Sequence, residues 1–229
     1  MLVPARAAYI GPVTSPRVRL VLASASPARR RTLLRAGVEP TVVVSDIDEQ
    51  AVVTDAQARY GQLDPSQVAL VLARAKAEAV AFGEGLRDLV LGCDSVLELD
   101  GEIHGKPADA DEAVARWQRM RGRSGVLHTG HWIVDQRPAA SGGSLATLGA
   151  TASTGVHFAT LSDDEIRAYV ATGEPLNVAG AFTVDGLGGP FVSAIEGDFH
   201  NVVGLSLPLL RELLADIGVG WFELVSPRG

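Results

Sequence analysis

Four short stretches carry side chains whose types and spacing suit chemistry. In the run LASASPARRR, Ser24 and Ser26 stand two apart, and Pro27 and Arg29 follow. Hydroxyls and a guanidinium at a helix start suit phosphate oxygens, because the first turn leaves backbone N–H groups unpaired and the dipole adds positive charge. The same residues also read as plain capping, with Ser26 as N-cap and Pro27 at the first helical position. Asp46, Asp48 and Glu49 cluster just past a β-branched run, either as a polar turn or as a site for a cation or an activated water. Lys76 lies four residues from both Leu72 and Val80, on an apolar stripe. It either snorkels to water or reaches a buried anion, since an unpaired ammonium in a core is costly. Asp94 stands at the exit of the apolar run 89–93, and ligands of α/β folds gather beyond the carboxyl ends of strands.

Other combinations fail on inspection. Gly105-Lys106-Pro107 resembles the tail of a P-loop, but the spacing from Gly101 is one residue short and proline replaces the required hydroxyl. His128 and His131 form an HxxH pair within an expected strand, where residues three apart point to opposite faces, so no zinc site is expected. Cys93 has no adjacent basic residue to lower its pKa and reads as a packing residue.

The elements that must position these groups alternate between strand and helix. A short strand at 20–23 leads into a helix stopped at Gly37, and a second strand is expected at 41–45. Asp64, Pro65 and Gln67 open a helix carrying Val68, Leu72, Ala75, Ala79 and Val80 on one stripe, with Gly83 as its stop. Residues 96–99, Asp100-Gly101 and 102–103 read as a hairpin. Asp109 and Glu112 box a helix with Val114, Trp117 and Met120, and a long strand follows at 126–135. The Gly-, Ser- and Ala-rich stretch 136–150 is expected as an exposed flexible loop, and 154–161 as a strand. A helix boxed by Ser162 and Glu165 runs to Gly173, residues 174–201 read as a pocket wall, and 206–217 as a closing helix. The pattern is α/β with a mixed sheet.

Composition narrows the partners. In 229 residues, 20 basic and 27 acidic side chains give a net charge of −7. This argues against nucleic acid and anionic membranes as partners but leaves room for a local basic pocket. No apolar run approaches the roughly 20 residues needed to span a bilayer. Arg17 and Arg19 precede LVLASA, which is shorter than the h-region of a signal peptide. With a single cysteine, a cytoplasmic setting is expected. The expected organisation is an N-terminal extension over 1–18, one domain over 19–218 and a tail over 219–229.

Taken in order, the motifs Ser24-Ala25-Ser26-Pro27-Ala28-Arg29, Asp48-Glu49, Leu72-Ala73-Arg74-Ala75-Lys76-Ala77 and Gly92-Cys93-Asp94-Ser95-Val96 form a set. Gly105-Lys106-Pro107, Thr172-Gly173-Glu174-Pro175, Ala179-Gly180-Ala181-Phe182 and Gly204-Leu205 complete it. This set resembles the Maf family of nucleoside triphosphate pyrophosphatases over roughly residues 19–217. The resemblance implies a mixed twisted sheet with flanking helices, in two lobes around a cleft, related to the inosine triphosphatase architecture. It implies hydrolysis of a nucleoside triphosphate to monophosphate and diphosphate, with a divalent cation, Mg²⁺ or Mn²⁺. Asp94 matches the catalytic acidic residue and Glu49 a second essential acid, both candidates to hold the metal. Ser24, Ser26, Arg29, Lys76 and Lys106 match groups lining the phosphate site.

Two departures bear on the base. Ala28 stands where branches of the family carry arginine or tryptophan, and Asp185-Gly186-Leu187-Gly188 resembles the 7-methyl-GTP branch, which has glutamate before Gly-Leu-Gly. Ala28 and Asp185 are therefore the base-selecting candidates. The resemblance also implies a homodimer. It offers a second reading of a different class, a nucleotide-dependent regulator of septum formation that acts by binding. Retention of Asp94, Glu49 and both lysines favours catalysis.

Overall fold

Residues 20–23 include no polar side chain and are fully buried, as suits a strand paired on both edges inside an α/β sheet. They form β1 (Leu20–Ala23) in the computed structural model, which describes residues 18–83 and 85–225. β1 runs into α1 (Pro27–Arg35), capped by Ser26, whose hydroxyl accepts from the Arg29 N–H at 3.4 Å. The chain leaves α1 through Gly37 at φ +84°, a conformation that favours glycine. β2 (Thr41–Val42) is shorter than the 41–45 expected, and Val44 beyond it is exposed. Then come α2 (Glu49–Tyr60) and α3 (Pro65–Ala81), the latter opened by the reciprocal Asp64–Gln67 capping box.

β3 (Leu89–Leu99) is the central strand, and it corrects the expected position of Asp94. The apolar pattern does not stop at Cys93; Val96, Leu97 and Leu99 continue it, and the first turn residues are Asp100 (φ +56°) and Gly101 (φ +78°). Asp94 therefore lies inside a long strand. The strand that ends beside it is β1, whose last partner on β3 is Gly92. β4 (Glu102–His104) folds back along the same edge only from Leu97 onward. Among the described residues, no strand covers that edge of β3 from Cys93 to Val96. The result is a notch at the carboxyl end of β1, with β3 as its floor.

The rest of the chain supplies α4 (Ala110–Met120), β5 (Ser124–Asp135), β6 (Thr147–Phe158), α5 (Asp163–Ala171), β7 (Val192–Glu196), α6 (Phe199–Val203), α7 (Leu207–Asp216) and α8 (Trp221–Leu224). The sheet order is β2-β1-β3-β5-β6-β7, with β4 added to β3. β2, β1 and β3 are parallel, and β3, β5, β6 and β7 are antiparallel, giving the mixed α/β sheet expected. Two apolar clusters share the long strands. Leu89, Leu91 and Cys93 of β3 pack with Leu33, Ile133, Leu210 and Leu214, whereas Leu97 and Leu99 pack with Trp117, Leu127, Phe158 and Phe182. The changeover on β3 falls at Asp94 and Ser95.

Two glycines set how closely α3 approaches the sheet. A Cβ on Gly92 would lie 2.2 Å from the Ala73 carbonyl oxygen and 2.7 Å from the Ala77 nitrogen, and one on Gly130 would lie 2.3 Å from the Ala69 oxygen. Lys76 sits on this stretch of α3, so the helix's height above β3 sets the height of its ammonium. Gly92→Ala is expected to destabilise the fold by about 1–3 kcal/mol through overpacking. Urea denaturation reads that loss, and activity should fall more than the folded fraction does because Lys76 is lifted.

Several segments depart from expectation for identifiable reasons. α2 has no buried residue, so no apolar stripe announces it; its signals are the Asp48 cap, accepting from the Ala51 N–H at 2.9 Å, and Gly61 at φ +85°. The exposed loop expected over 136–150 is present but shorter, ending at Ala146. β6 begins at Thr147, and buried Asp135 ties down the residues before it by accepting from Arg137 Nε at 2.8 Å and from the Ser144 N–H and Oγ, each at 2.8 Å. Burial opposes ionisation of Asp135, but these donors outweigh it and hold its carboxyl down at about 2. The 174–201 stretch contains β7 and the start of α6. Of the expected N-terminal extension, residues 1–17 lie outside the described residues, as do 226–229 of the expected tail. Val219 and Leu224 pack into the first cluster, and Val225 bridges to Val38.

Candidate active site

Alternation along β3 aims Asp94 and Ser95 to opposite faces, and the notch lets groups from both faces approach one edge. On one face stands α3. Lys76 Nζ donates to an Asp94 carboxylate oxygen and reaches Glu49 Oε1 at 2.7 Å. Lys76 and Asp94 side chains are 12% and 13% exposed, and Glu49, the first residue of α2, is 53% exposed. The two open possibilities for Lys76 are thus decided: it reaches a buried anion, and that anion is a carboxylate of the protein. Burial pushes the Asp94 carboxyl above the usual range, against the opposing pull of Lys76 and Arg29. A carboxyl moved in that direction is a better proton acceptor near neutral pH.

On the other face stands α1. Arg29 is buried and its guanidinium is a hub: Nε donates to the Gly204 carbonyl at 2.7 Å, Nη1 to Ser24 Oγ at 3.0 Å and Nη2 to Ser95 Oγ at 2.9 Å. Ser24 Oγ also accepts from the Ser26 N–H at 3.2 Å. With two acceptor positions filled, Ser24 keeps its O–H to donate. Ser95 differs. Thr129 Oγ1 donates to the Asn201 carbonyl at 3.3 Å, so in the 2.9 Å Ser95–Thr129 contact the hydroxyl hydrogen comes from Ser95. The chain Arg29, Ser95, Thr129, Asn201 therefore runs in one direction and spends the Ser95 proton internally.

α6 is fixed to the sheet by the buried Asn201 amide, whose Nδ2 lies 3.1 Å from the Leu127 carbonyl, 3.2 Å from that of Ala152 and 3.0 Å from Thr154 Oγ1. Gly204, at φ +118°, turns its carbonyl to Arg29. In the sequence Ser95 and Gly204 are only motif letters, and Thr129 and Asn201 carry no signal at all. Their parts in the site come from strand register and a helix end, neither of which spacing reveals.

Among the described residues, none of the other predicted site residues Lys106, Ala28 and Asp185 has a hydrogen bond or ion pair to these two groups. Lys106 is exposed on the turn after β4, where the preceding Gly105 carbonyl is held by the Gly180 N–H at 3.0 Å and by Arg116. Ala28 is half-buried in the first turn of α1. Asp185 lies 3.6 Å from Arg31 Nη2, so α1 and the 183–188 turn face each other at this point. His128 and His131 do diverge. His128 contacts Glu98 at 3.0 Å and Ser153 at 2.8 Å. His131 Nδ1 donates to the Thr129 carbonyl at 3.0 Å, and Nε2 accepts from the Ser206 N–H at 2.9 Å. Burial moves this second imidazole down to about 4, so it is neutral. Cys93 is buried, and burial pushes its thiol up to about 12, in keeping with a packing role.

Asp94 and Glu49 fit a divalent cation of the kind that takes one or two carboxylates and completes its shell with phosphate oxygens and water, because carboxylates from β3 and α2 converge on a single Nζ. Among the described residues there is no group of three or more His, Cys, Asp or Glu able to cage a metal unaided. No helix among them is long and apolar enough to cross a membrane.

Comparison with known proteins agrees with this frame. A profile of the family described as Maf-like protein matches residues 19–217. The chain is 59% identical over 206 residues to a nucleoside triphosphate pyrophosphatase of Salinispora tropica, covering 88% of this chain and 85% of that protein. It is 56% identical over 213 residues to one of Streptomyces coelicolor, covering 93% and 97%. A relative of the same name, from Trichormus variabilis, is 50% identical over 201 residues, covering 87% and 93%.

Proposed function

This chain belongs to the Maf-like protein family, and on that footing we propose that it is a nucleoside triphosphate pyrophosphatase whose reaction centre is the Asp94–Lys76–Glu49 cluster. The observation that carries the assignment is a buried ammonium shared by two carboxylates at the notch beside β1. A purely structural ion pair has no need of the second, half-exposed carboxylate.

A triphosphate brings about four negative charges, more than the protein's cations meet alone, and Mg²⁺ or Mn²⁺ held by Asp94 and Glu49 would supply the remaining neutralisation. The chain's own groups do the rest. Lys76 spends two of its three N–H donors on the carboxylates and keeps the third for a phosphate oxygen. The free Ser24 O–H donates to another, and the capped start of α1 at Ser26 adds its dipole. Arg29 acts mainly by orienting Ser24 and Ser95. Lys106, exposed on its turn, supplies a charge to the outer phosphates. Asp94 takes the proton of the attacking water as its oxygen bonds to the α-phosphorus, and the bond to the bridging oxygen breaks to release diphosphate. The consequence in the cell is removal of non-canonical or surplus nucleotides, in the cytoplasm, by a homodimer.

A panel of the common NTPs with dTTP, UTP, 7-methyl-GTP and ITP, scored for diphosphate against orthophosphate, tests the reaction. Monophosphate plus diphosphate in equal amounts is expected. Nucleotide binding with no turnover across the panel would overturn the enzymatic reading in favour of the nucleotide-dependent regulator.

A further inference from the structure

The base-selecting candidate Asp185 sits on a turn whose shape is set by one residue outside it. Glu174, after Gly173 at φ +77°, turns its carboxylate into the 183–188 segment. Its Oε1 accepts from Thr183 Oγ1 at 2.5 Å, from the Gly188 N–H at 3.0 Å and from the Tyr169 hydroxyl at 3.1 Å, and its Oε2 accepts from the Leu187 N–H at 3.0 Å. Two backbone and two side-chain donors thus converge on one carboxylate. Burial raises the Glu174 carboxyl, but these four donors outweigh it and hold it below its ordinary range.

The two glycines of the turn leave room for Glu174 and for its donor Tyr169. A Cβ on Gly186 would lie 2.5 Å from Glu174 Oε2, and one on Gly188 would lie 2.5 Å from the Tyr169 hydroxyl. Tyr169 is itself fixed by edge contacts with Trp117 and Phe191, at 5.6 and 5.3 Å between ring centroids. The turn so held brings Asp185 within 3.6 Å of Arg31 on α1. We infer that Glu174 is a positioning residue for nucleotide selection: it clamps the 183–188 turn so that Asp185 meets the base opposite α1. The inference rests on the reading of Asp185 as a base selector.

The test compares Glu174→Gln, Tyr169→Phe and Asp185→Ala on the nucleotide panel, with melting curves for each. The Gln variant points an N–H₂ at donors that need an acceptor. It is expected to raise KM for the best nucleotide about tenfold, the loss of roughly one charge-assisted hydrogen bond, with a smaller change in kcat. Its selectivity between the best and second nucleotides should narrow as it does in Asp185→Ala. Tyr169→Phe keeps the ring packing and removes one donor, so it should move KM and selectivity the same way by less, even if Glu174→Gln folds poorly. Parental KM and selectivity in folded Glu174→Gln, or in Tyr169→Phe where the Gln variant does not fold, with both altered in Asp185→Ala, would overturn the inference alone. Parental selectivity in Asp185→Ala would overturn the reading of Asp185 and the inference with it.

Discussion

Asp94→Asn is expected to lower kcat by about 10²–10⁴-fold, the usual contribution of a positioned proton acceptor, with KM moving far less. The substitution is nearly isosteric, and Asn still offers an oxygen to Lys76. On the proposed mechanism, what it removes is the capacity to take a proton from water and one charged ligand for the cation. Stability should hardly suffer, because the carboxylate it replaces is itself disfavoured by burial. Steady-state kinetics with a thermal melt separates the two effects. A folded Asp94→Asn enzyme with parental kcat would remove Asp94 from the chemistry.

Lys76→Met should be the most damaging single change. The thioether fills the space of the lysine stem on α3, so packing is largely kept. The lost ammonium leaves Asp94 buried without its closest counter-charge, a change that costs about 3–5 kcal/mol when one partner of a buried pair is removed. The pH dependence identifies the cause. Asp94 already has a folded-state pKa raised above its unfolded value, and removing Lys76 raises it further. A carboxyl so shifted destabilises when ionised and ceases to do so as pH falls through its folded pKa, so the variant's deficit should be larger at pH 8 than at pH 5. Urea midpoints at the two pH values measure this; an equal deficit at both would point to packing instead. kcat/KM should fall by about 10³-fold or more as the site loses charge aimed at the phosphates.

Much of the frame was legible in the sequence because it obeys local rules. Ser26 with Pro27, Asp64 with Gln67, and Ser162 with Glu165 announce helix starts, and each caps as read. Lys76 on an apolar stripe poses its own question, since a buried charge demands a partner. The identity of that partner was not legible: it depends on how close α3 lies to β3, and Gly92 and Gly130 reveal that distance only once register is known. The place of Asp94 inside a strand is hidden in the sequence for a related reason. A strand that loses a neighbour midway looks the same, residue by residue, as one that keeps it. The notch exists because β1 is short, which is a property of pairing. Ser95, Thr129 and Asn201 were invisible because ordinary polar residues in strands and helix ends carry no spacing signal. Glu174 looked like one letter of a motif, and only the folded turn shows four donors aimed at it.

In the proposed reaction, water attacks the α-phosphorus at the Asp94–Lys76–Glu49 cluster. Single-turnover hydrolysis in H₂¹⁸O with the best nucleotide of the panel, followed by mass spectrometry of both products, tests it most directly. One ¹⁸O in the nucleoside monophosphate and none in diphosphate is the predicted result. Label in diphosphate, or release of labelled orthophosphate, would place the attack on another phosphorus and contradict the account.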